Sequence, residues 1–559
     1  MTLMSGGSCL KRAGCQVAAA SYPSLSAKTG FFYVTLVLLI LPVVRYQRQP
    51  PHIVIFLADE LGWDDVSFHG SSQIPTPNID ALAADGVILN NYYVQPFCTP
   101  SRAALMTGLY PIRTGMQGLP IAIAEPWGLP LSVRIMPQYF KELRYETHLI
   151  GKWHLGSYTK NHTPTSRGFD SFYGFYNGEE DYFTHNVTCQ NQTGLDFWHN
   201  TDPLWTSTGT YSTTLFTQRA KHVIRNRKKG KPLFLVVSYQ AVHGTGSSVP
   251  LQAPRENTEK FPYIGETSRT IFAGMVDAMD LSVGEVFQAL SEASMLDNTI
   301  IVFSSDNGGA PFGMHSSRSF NWPLRGIKGT VWEGGTRAAA FVWSSLLARR
   351  RRVSNLLMHI TDWLPTLYSA AGGNVAKLPE LDGQDMWRHL SNGWRSPRTE
   401  VLYNIGPLPS AAAIRDSRYK LVVDSTGFFN QRYLTAGGSR PRRDLDHLLL
   451  QSNVVKVLRD LYGMDGGFRL PKGWRRRATL DCSEGYRRNF SSSDSVYLFD
   501  IVRDPCELNN LAKVHPNIVA HLQKRMNAYQ AGAVPTLNKP RDPAALPDRH
   551  NGTWAPWVQ

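Results

Sequence analysis

Two pairs of oxygen-bearing side chains stand at the ends of apolar runs in the sequence. Asp59 and Glu60 end the run "HIVIFLADE", and Asp306 and Asn307 end the run "NTIIVFSSDN". Carboxylate and amide oxygens, with no thiolate or imidazole among them, are the ligands that calcium and magnesium prefer. Acidic residues after a strand are also common as turn or N-cap residues, and either pair alone favours that interpretation. Both pairs together, each at the end of a buried strand, favour a divalent metal site.

Basic side chains and histidines follow the same kind of apolar run. The run "THLIGKWH" ends in Lys152 and His154, "PLFLVVSYQAVH" ends in His243, and Arg102 and Lys328 add positive charge. Cations beside a divalent metal stabilise a tetrahedral oxyanion such as phosphate or sulfate. A lone histidine is more often structural than catalytic, but histidines also transfer protons near neutral pH. Together these residues predict a metal-assisted hydrolase of phosphate or sulfate esters and do not choose between the two.

The four runs indicate how these side chains are brought together. Each run is continuously apolar, which is typical of buried parallel strands. Between two of them, "SRTIFAGMVDAMDLSVGEVFQAL" has apolar residues at helical spacing, which we interpret as core. Strands that alternate with helices predict an α/β fold with a large, mostly parallel sheet flanked by helices. Ligands bind beyond the carboxyl ends of such strands, so we expect one active site at that edge.

The pattern of the sequence changes near residue 400. Short β-like pieces, "VLYNI", "YKLVV" and "SVYLF", then lie among loops rich in glycine and arginine. We therefore predict a catalytic domain over residues 50–400 and a smaller α+β C-terminal subdomain, with a small antiparallel sheet, over residues 401–559. A basic and polar segment, residues 1–29, and an apolar run, residues 30–45, precede them.

The N-terminal run predicts entry into the secretory pathway. It is short for a membrane span and close to the apolar part of a secretory signal. No clear cleavage site follows it, so a cleaved signal and a single uncleaved membrane anchor both remain open. A lysosomal or an extracellular protein is expected. Five N-x-S/T sequons agree with this route, at Asn161, Asn186, Asn191, Asn489 and Asn551.

Net charge indicates the class of binding partner, and the cysteines indicate the redox compartment. The 58 lysines and arginines outnumber the 44 aspartates and glutamates, for a net charge of +14. Such a surface favours anionic partners, but no nucleic-acid-binding motif accompanies the scattered basic residues, so we predict no nucleic-acid partner. Cys482 and Cys506 flank a strand-like stretch and are placed to pair in an oxidising compartment.

Cys98, in "PFCTPSRAAL", has no evident mate. From the residues alone it is a buried apolar side chain, half of a disulfide, a metal ligand or the precursor of a catalytic group. The stretch "CTPSR" resembles the C-x-P-S-R signature of the type I sulfatases, a family of the alkaline phosphatase superfamily. "LADELGWDDVSFHG", "GKWHLG", "SSDNGG" and "WPLRGIKGTVWEGGTR" also resemble sulfatase segments, in the family's order. The resemblance covers residues 52–400 and is strongest to the arylsulfatase B group, which includes arylsulfatases I and J.

The resemblance implies an alkaline-phosphatase-like fold and a specific chemistry. Cys98 would be oxidised by the formylglycine-generating enzyme during secretion. The hydrated aldehyde would attack sulfur with one hydroxyl and release sulfate with the other. The substrate would be a sulfated glycan, with N-acetylgalactosamine 4-sulfate of chondroitin or dermatan expected from the arylsulfatase B group, together with aryl sulfates.

The resemblance also assigns roles by position. One calcium ion would be bound by Asp59, Glu60, residue 98, Asp306 and Asn307. Lys152 and Lys328 would hold sulfate oxygens, Arg102 and His154 would orient the hydrated aldehyde, and His243 would contact the substrate and protonate the departing sugar oxygen.

One residue departs from the family pattern. Most members have aspartate where this chain has Glu60, and small displacements are costly in a preorganised site. Two other functions therefore stay open. A phosphatase or phosphodiesterase of the same superfamily is disfavoured by Cys98 within a complete "CTPSR". A non-enzymatic pseudo-sulfatase that binds sulfated glycans is supported at the level of motifs by Glu60 alone.

Overall fold

The protein is described by a computed structural model. The residues described are 49–313, 316–406, 411–424, 436–463, 467–482, 490–491 and 494–559. Within them, residues 50–559 form one compact unit. The apolar run at residues 30–45 and the sequon at Asn489 lie outside the described residues. No helix in the described ranges combines the length and the apolar character needed to cross a membrane.

The strands of the described residues are numbered in chain order. They are β1 (His52–Ala58), β2 (Val87–Leu89), β3 (Tyr92–Tyr93), β4 (Glu146–Lys152), β5 (Ser171–Phe175), β6 (Asn186–Cys189), β7 (Gln192–Leu195), β8 (Trp198–His199), β9 (Asp202–Pro203), β10 (Leu233–Ser238), β11 (Thr299–Ser305), β12 (Ala340–Ser344), β13 (Arg352–Ser354), β14 (Met358–His359), β15 (Glu400–Ile405), β16 (Ala411–Asp416), β17 (Tyr419–Asp424) and β18 (Val496–Asp500).

A ten-stranded mixed sheet forms the centre of the fold, in the order β13-β2-β12-β11-β1-β10-β4-β5-β8-β9. Its middle strands β11, β1, β10 and β4 are parallel neighbours, with Ile53 paired to Ile300 on one side and to Phe234 on the other. These are the four apolar runs recognised in the sequence. The predicted α/β fold with a large, mostly parallel sheet is confirmed.

Helices cover both faces of this sheet. Alternate residues of β1 enter two separate cores, with Val54 and Phe56 in one and Ile53 and Ile55 in the other. This two-sided burial explains why the run is apolar throughout, since both faces of the strand are covered. The α-helices of the described residues are Pro77–Asp85, Cys98–Thr107, Met136–Glu142, Ser212–Arg225, Arg255–Thr258, Thr267–Glu292, Glu333–Thr336, Trp363–Ala370, Trp387–Asn392, Leu445–Leu450, Asn453–Tyr462, Trp474–Ala478 and Pro516–Ala531.

Gly151 allows the strand that carries Lys152 to lie against its neighbour. Its φ is +95°, and a Cβ at this position would stand 1.9 Å from the carbonyl oxygen of Ser238 in β10. Any other residue would clash with that backbone and strain its own. The glycine therefore permits the close approach of β4 and β10 directly before Lys152.

A separate four-stranded antiparallel sheet, β15-β16-β17-β18, lies near the C-terminus, as predicted. One of its faces packs against Leu522 and Met526 of the helix Pro516–Ala531. The other packs against Tyr93 and Trp332 of the preceding part of the chain. The boundary at residue 400 stays a prediction, because residues 50–559 form one compact unit.

Both cysteines of the predicted pair and four of the sequon asparagines lie among the described residues. A disulfide joins Cys482 to Cys506. Among the sequon asparagines of the described residues, Asn186 is half-buried and three are exposed, namely Asn161, Asn191 and Asn551.

Buried ion pairs connect β17 of the small sheet to residues outside that sheet. The Lys420 ammonium is fully buried and lies 3.0 Å from Glu333 Oε1 and 2.8 Å from Glu507 Oε1. Replacing Lys420 by methionine removes the buried cation that bridges two buried carboxylates, so we expect the free energy of unfolding to fall by about 3–5 kcal/mol. Denaturant unfolding of the secreted protein measures this loss.

Lys513→Met is the matched control for Lys420→Met. The Lys513 side chain is 91% exposed and stands 4.0 Å from Asp494, so its removal should change stability by less than about 0.5 kcal/mol. Equal stabilities of the two variants would contradict the role given to Lys420.

Candidate active site

Polar side chains from four neighbouring strands meet at one edge of the large sheet. Asp59 directly follows β1, Asp306 directly follows β11, Lys152 ends β4 and Ser238 ends β10. Because these strands are parallel and adjacent, their carboxyl ends lie side by side. The site expected from the four apolar runs is therefore assembled at this edge.

Two carboxylates and two cations form a buried cluster there. Lys152 Nζ lies 2.5 Å from Asp59 Oδ2. Arg102 donates to Asp306 Oδ2 from Nη2 at 2.9 Å and from Nε at 3.1 Å, and its Nη2 is 3.6 Å from Asp59 Oδ2. Arg102 Nη1 also donates to Ser238 Oγ at 2.6 Å. Buried charges need such partners, so the cluster fixes the position of each side chain in it.

The two carboxyl groups of this cluster differ in acidity. Burial by itself would raise the pKa of Asp59, but the charges of Lys152 and its other basic neighbours hold that pKa well below the usual range. Burial, and then the charge of Asp59, raise the pKa of Asp306 to about 7. The negative charge of the cluster is therefore held mainly on Asp59, and a further positive charge between the two carboxyl groups would favour ionisation of both.

Cys98 begins the helix Cys98–Thr107, with Arg102 one turn further along. The cysteine is 2% exposed, and no disulfide joins it to another described cysteine. Burial raises the pKa of its thiol to about 11. With no metal beside it, an unmodified Cys98 is therefore a protonated thiol at neutral pH and a weak nucleophile. A disulfide with another described cysteine is excluded, and a buried apolar side chain, a metal ligand and a catalytic precursor all agree with this environment.

A second cluster surrounds Glu60. Its Oε1 accepts from Lys328 Nζ and lies 2.9 Å from His243 Nε2, and Lys328 Nζ is 3.2 Å from the same nitrogen. Burial lowers the pKa of Lys328 to about 8. Glu179 was not among the predicted site residues, and its Oε2 lies 3.7 Å from His243 Nδ1. Neither a motif nor a strand end marks Glu179 in the sequence.

Two site residues have left-handed backbones. Glu60 has φ 60° and His154 has φ 55°, a conformation that costs a residue other than glycine about 1–3 kcal/mol. His154 Nε2 lies 2.9 Å from the Ile121 carbonyl oxygen, while its buried Nδ1 has no hydrogen-bond partner among the described residues. Burial, and then Lys152, lower the pKa of His154 well below its usual value, so the ring is neutral. The surrounding structure holds both residues in strained positions, as functional sites often do.

The donor atoms at this edge fit a divalent cation. Buried oxygens of Asp59 (Oδ1), Glu60 (Oε2) and Asn307 (Oδ1) have no hydrogen-bond partner in the described part of the chain. Ligand atoms of Asp59, Glu60 and His243 lie within 4.8 Å of one another. Unpaired buried acceptors are costly, and a hard cation bound by carboxylate and amide oxygens would satisfy them.

A pocket of about 560 Å³ opens beside the cluster around Glu60. Cys98, His154, His243 and Lys328 line it, together with Glu179. Most of its other lining residues are apolar, among them Leu119, Pro120, Ile121, Ile123 and Phe312. Its volume is that of a small-ligand site, in which a few convergent polar groups orient the ligand.

Comparison with known proteins agrees with the geometry. The sulfatase family model matches residues 51–373. Arylsulfatase J of Mus musculus is 38% identical over 534 residues, which are 91% of this chain and 80% of that protein. N-acetylgalactosamine-6-sulfatase of Homo sapiens is 30% identical over 377 residues, which are 65% of this chain and 70% of that protein.

A solved structure also has this fold. The crystal structure of Ps i-CgsB in complex with k-i-k-neocarrahexaose superposes with a TM-score of 0.69 at 26% identity, over 89% of this chain and 96% of that one. The relatives support hydrolysis of a sulfuric ester, and the family model covers more than half of the sequence. The chain therefore belongs to the sulfatase family.

Proposed function

We propose that this protein removes sulfate from sulfated glycans by means of a formylglycine made from Cys98 and one calcium ion. The observation that carries the proposal is the position of Cys98, at the start of a helix that lines the pocket and places Arg102 among the buried charges. The deciding experiment is the turnover of an aryl sulfate by protein secreted with and without the formylglycine-generating enzyme. A phosphate ester serves as the second substrate, because it tests the phosphatase alternative.

The chain's own residues would hold the metal and the sulfate. Calcium, when bound, supplies positive charge that stabilises the transition state. The residues that would bind it are Asp59, Glu60, residue 98, Asp306 and Asn307. Lys152 and Lys328 would hold the sulfate oxygens from their places beside Asp59 and Glu60. Each lysine is thus positioned by a carboxylate before substrate arrives, which is the preorganisation that catalysis requires.

The modified residue 98 would supply the nucleophile. A hydrated aldehyde has one hydroxyl that attacks sulfur and a second hydroxyl that releases sulfate. A thiol lacks this second group. The neutral ring of His154 and the Arg102 guanidinium would orient these hydroxyls. Because Cys98 is 2% exposed in the folded chain, its oxidation would precede folding, and the formylglycine-generating enzyme is the proposed partner for that step.

His243 would act on the departing sugar. Its Nδ1 contacts the Gly244 carbonyl, which leaves Nε2 near Lys328 and Glu60 at the pocket. A proton on Nε2 would pass to the sugar oxygen as the ester bond breaks.

The proposed substrate is N-acetylgalactosamine 4-sulfate of chondroitin or dermatan. The resemblance to the arylsulfatase B group supports it, and a net charge of +14 suits an acidic polymer. One relative is named for 6-sulfated N-acetylgalactosamine, so the position of the sulfate is the point to test. Desulfation of fragments with 4-sulfate, with 6-sulfate and of heparan type ranks these candidates directly.

We place the protein in the secretory pathway, in the lysosome or outside the cell. The disulfide Cys482–Cys506 and the exposed sequons at Asn161, Asn191 and Asn551 support this. The apolar run at residues 30–45 would be a cleaved signal or a membrane anchor. N-terminal sequencing of the secreted protein distinguishes the two.

The first prediction from this proposal concerns Cys98 itself. Mass spectrometry of the peptide around Cys98 should show an aldehyde or its hydrate in protein from a eukaryotic secretory host. Cys98→Ala should fold and be inactive, and Cys98→Ser should trap a sulfate ester because it lacks the second hydroxyl. Active enzyme in which Cys98 is entirely a free thiol would refute the mechanism.

His243→Ala should discriminate between leaving groups. A sugar alkoxide needs a proton as it leaves, whereas a nitrophenolate hardly does, so we expect kcat to fall about 100-fold or more on a glycan fragment and far less on a nitrophenyl sulfate. Steady-state kinetics on the two substrates measures the difference. Equal losses would mean either that His243 only positions the substrate or that another residue is the acid.

Glu60→Asp tests the residue at which this chain departs from its family. Chelation should abolish turnover, and excess calcium should restore it. A shorter carboxylate should bind calcium several-fold more tightly if Glu60 displaces the ion, since sub-ångström placement matters in such sites. Calorimetric titration of calcium into metal-free protein measures this affinity. Glu259→Asp, at an exposed position, is the control. Inert wild type and inert Glu60→Asp, both with Cys98 fully converted, would establish the pseudo-sulfatase.

A further inference from the structure

The C-terminal strap, residues 532–559, follows the helix Pro516–Ala531 that packs on the small sheet, and it reaches the pocket. Its Val534 N–H donates to the Ile112 carbonyl at 2.7 Å, and its Asp542 N–H donates to the Ala124 carbonyl at 2.8 Å. Between these two bonds the strap runs beside residues 112–124, and Leu119–Ile123 of that stretch line the pocket. The strap therefore braces one wall of the candidate active site.

One side chain of the strap lines the pocket. Arg541 is exposed and is a lining residue together with Cys98 and Lys328. The adjacent Asp542 fixes the backbone at this point, because its Oδ2 accepts from Trp557 Nε1 at 2.8 Å and its Oδ1 accepts from the Ala544 N–H at 2.9 Å. Arg541 thus lies in a segment whose backbone is fixed by hydrogen bonds, and it is far in sequence from the catalytic motifs.

The charge of Arg541 is uncompensated within the described ranges. No ion pair or hydrogen bond joins its guanidinium to a described residue, whereas Lys328, the other lining cation, is paired with Glu60. The wall beside the strap is apolar from Leu119 to Ile123, and the lining carboxylate Glu179 lies beside His243. A guanidinium in such a place attracts an anion and, with its planar fork, can bind a carboxylate or a sulfate through two hydrogen bonds.

We propose that Arg541 is a second anion subsite, which binds an acidic group on the substrate other than the sulfate that is removed. This inference deepens the proposed function and rests on it. The ligand is a glycan fragment with two anions, and the second anion is the carboxylate of a neighbouring hexuronic acid or a second sulfate. A pocket of about 560 Å³ accommodates a ligand larger than the sulfate ester alone. Arg541 would then favour acidic polymers over simple sulfate esters.

The test measures binding without turnover. In the full chain carrying Cys98→Ala, calorimetry gives the Kd of three disaccharides: a sulfated hexosamine joined to a hexuronic acid, its carboxyl-reduced form, and the reduced form with a second sulfate. Adding Arg541→Gln should raise about tenfold the Kd of the ligand whose second anion Arg541 binds, because a hydrogen bond to a charged group is lost. The singly charged, reduced ligand should change less than twofold.

Lys539→Gln provides the matched control. Lys539 is an exposed cation two residues away on the strap and is not a lining residue of the pocket. It should leave all three Kd values unchanged, which separates a subsite from a general effect of net charge. Four results would overturn the subsite. Arg541→Gln could weaken the binding of all three ligands equally, or of none. Lys539→Gln could weaken binding by the same amount, or no ligand could bind at all. Failure of the proposed function is seen separately, as absent aryl sulfate turnover by protein with residue 98 converted.

Discussion

The structure depends on the mutual neutralisation of buried charges at the edge of the large sheet. Asp59, Asp306, Arg102 and Lys152 come from three strand ends and one helix, and each is nearly inaccessible to water. Taking such charges out of water is costly, and the cost is offset only when each meets a partner at short range. The cluster therefore fixes the helix Cys98–Thr107 against β1, β4 and β11, which sets the position of residue 98 relative to every group that would act on sulfate.

The small C-terminal sheet is linked to this site through the segment that carries Lys328. Lys420 joins Glu333 to Glu507, and Arg325 Nε donates to the Glu507 carbonyl at 3.1 Å. Between Arg325 and Glu333 lies Lys328, whose own N–H donates to the Gly309 carbonyl at 2.9 Å. The lysine expected to hold sulfate is therefore positioned by contacts on both sides. The small sheet consequently belongs to the architecture of the active site, although its residues lie far from the catalytic motifs.

Glu60 departs from a motif shared with the sulfatase family, and the strap lies outside those motifs. Glu60 is the residue at which the resemblance to the sulfatases predicts aspartate, and its side chain reaches Lys328 and His243 directly. Metal binding, sulfate binding and proton transfer would thus be coupled through one carboxylate. Arg541 of the strap also lines the pocket, where it would bind another group of the ligand. Specificity is decided by such walls more than by the shared catalytic residues.

Much of this protein could be predicted from its sequence, because parallel strands bring their carboxyl ends to one edge whatever their order in the sheet. The continuous apolar runs identified β1, β4, β10 and β11, and "CTPSR" singled out Cys98. Only the tertiary structure decided the partners: Lys152 with Asp59, Lys328 with Glu60, and Glu179 beside His243. It alone brought Arg541 to the pocket. Such contacts join residues far apart in the chain, and no local periodicity or motif encodes them, since they follow from how the finished elements pack.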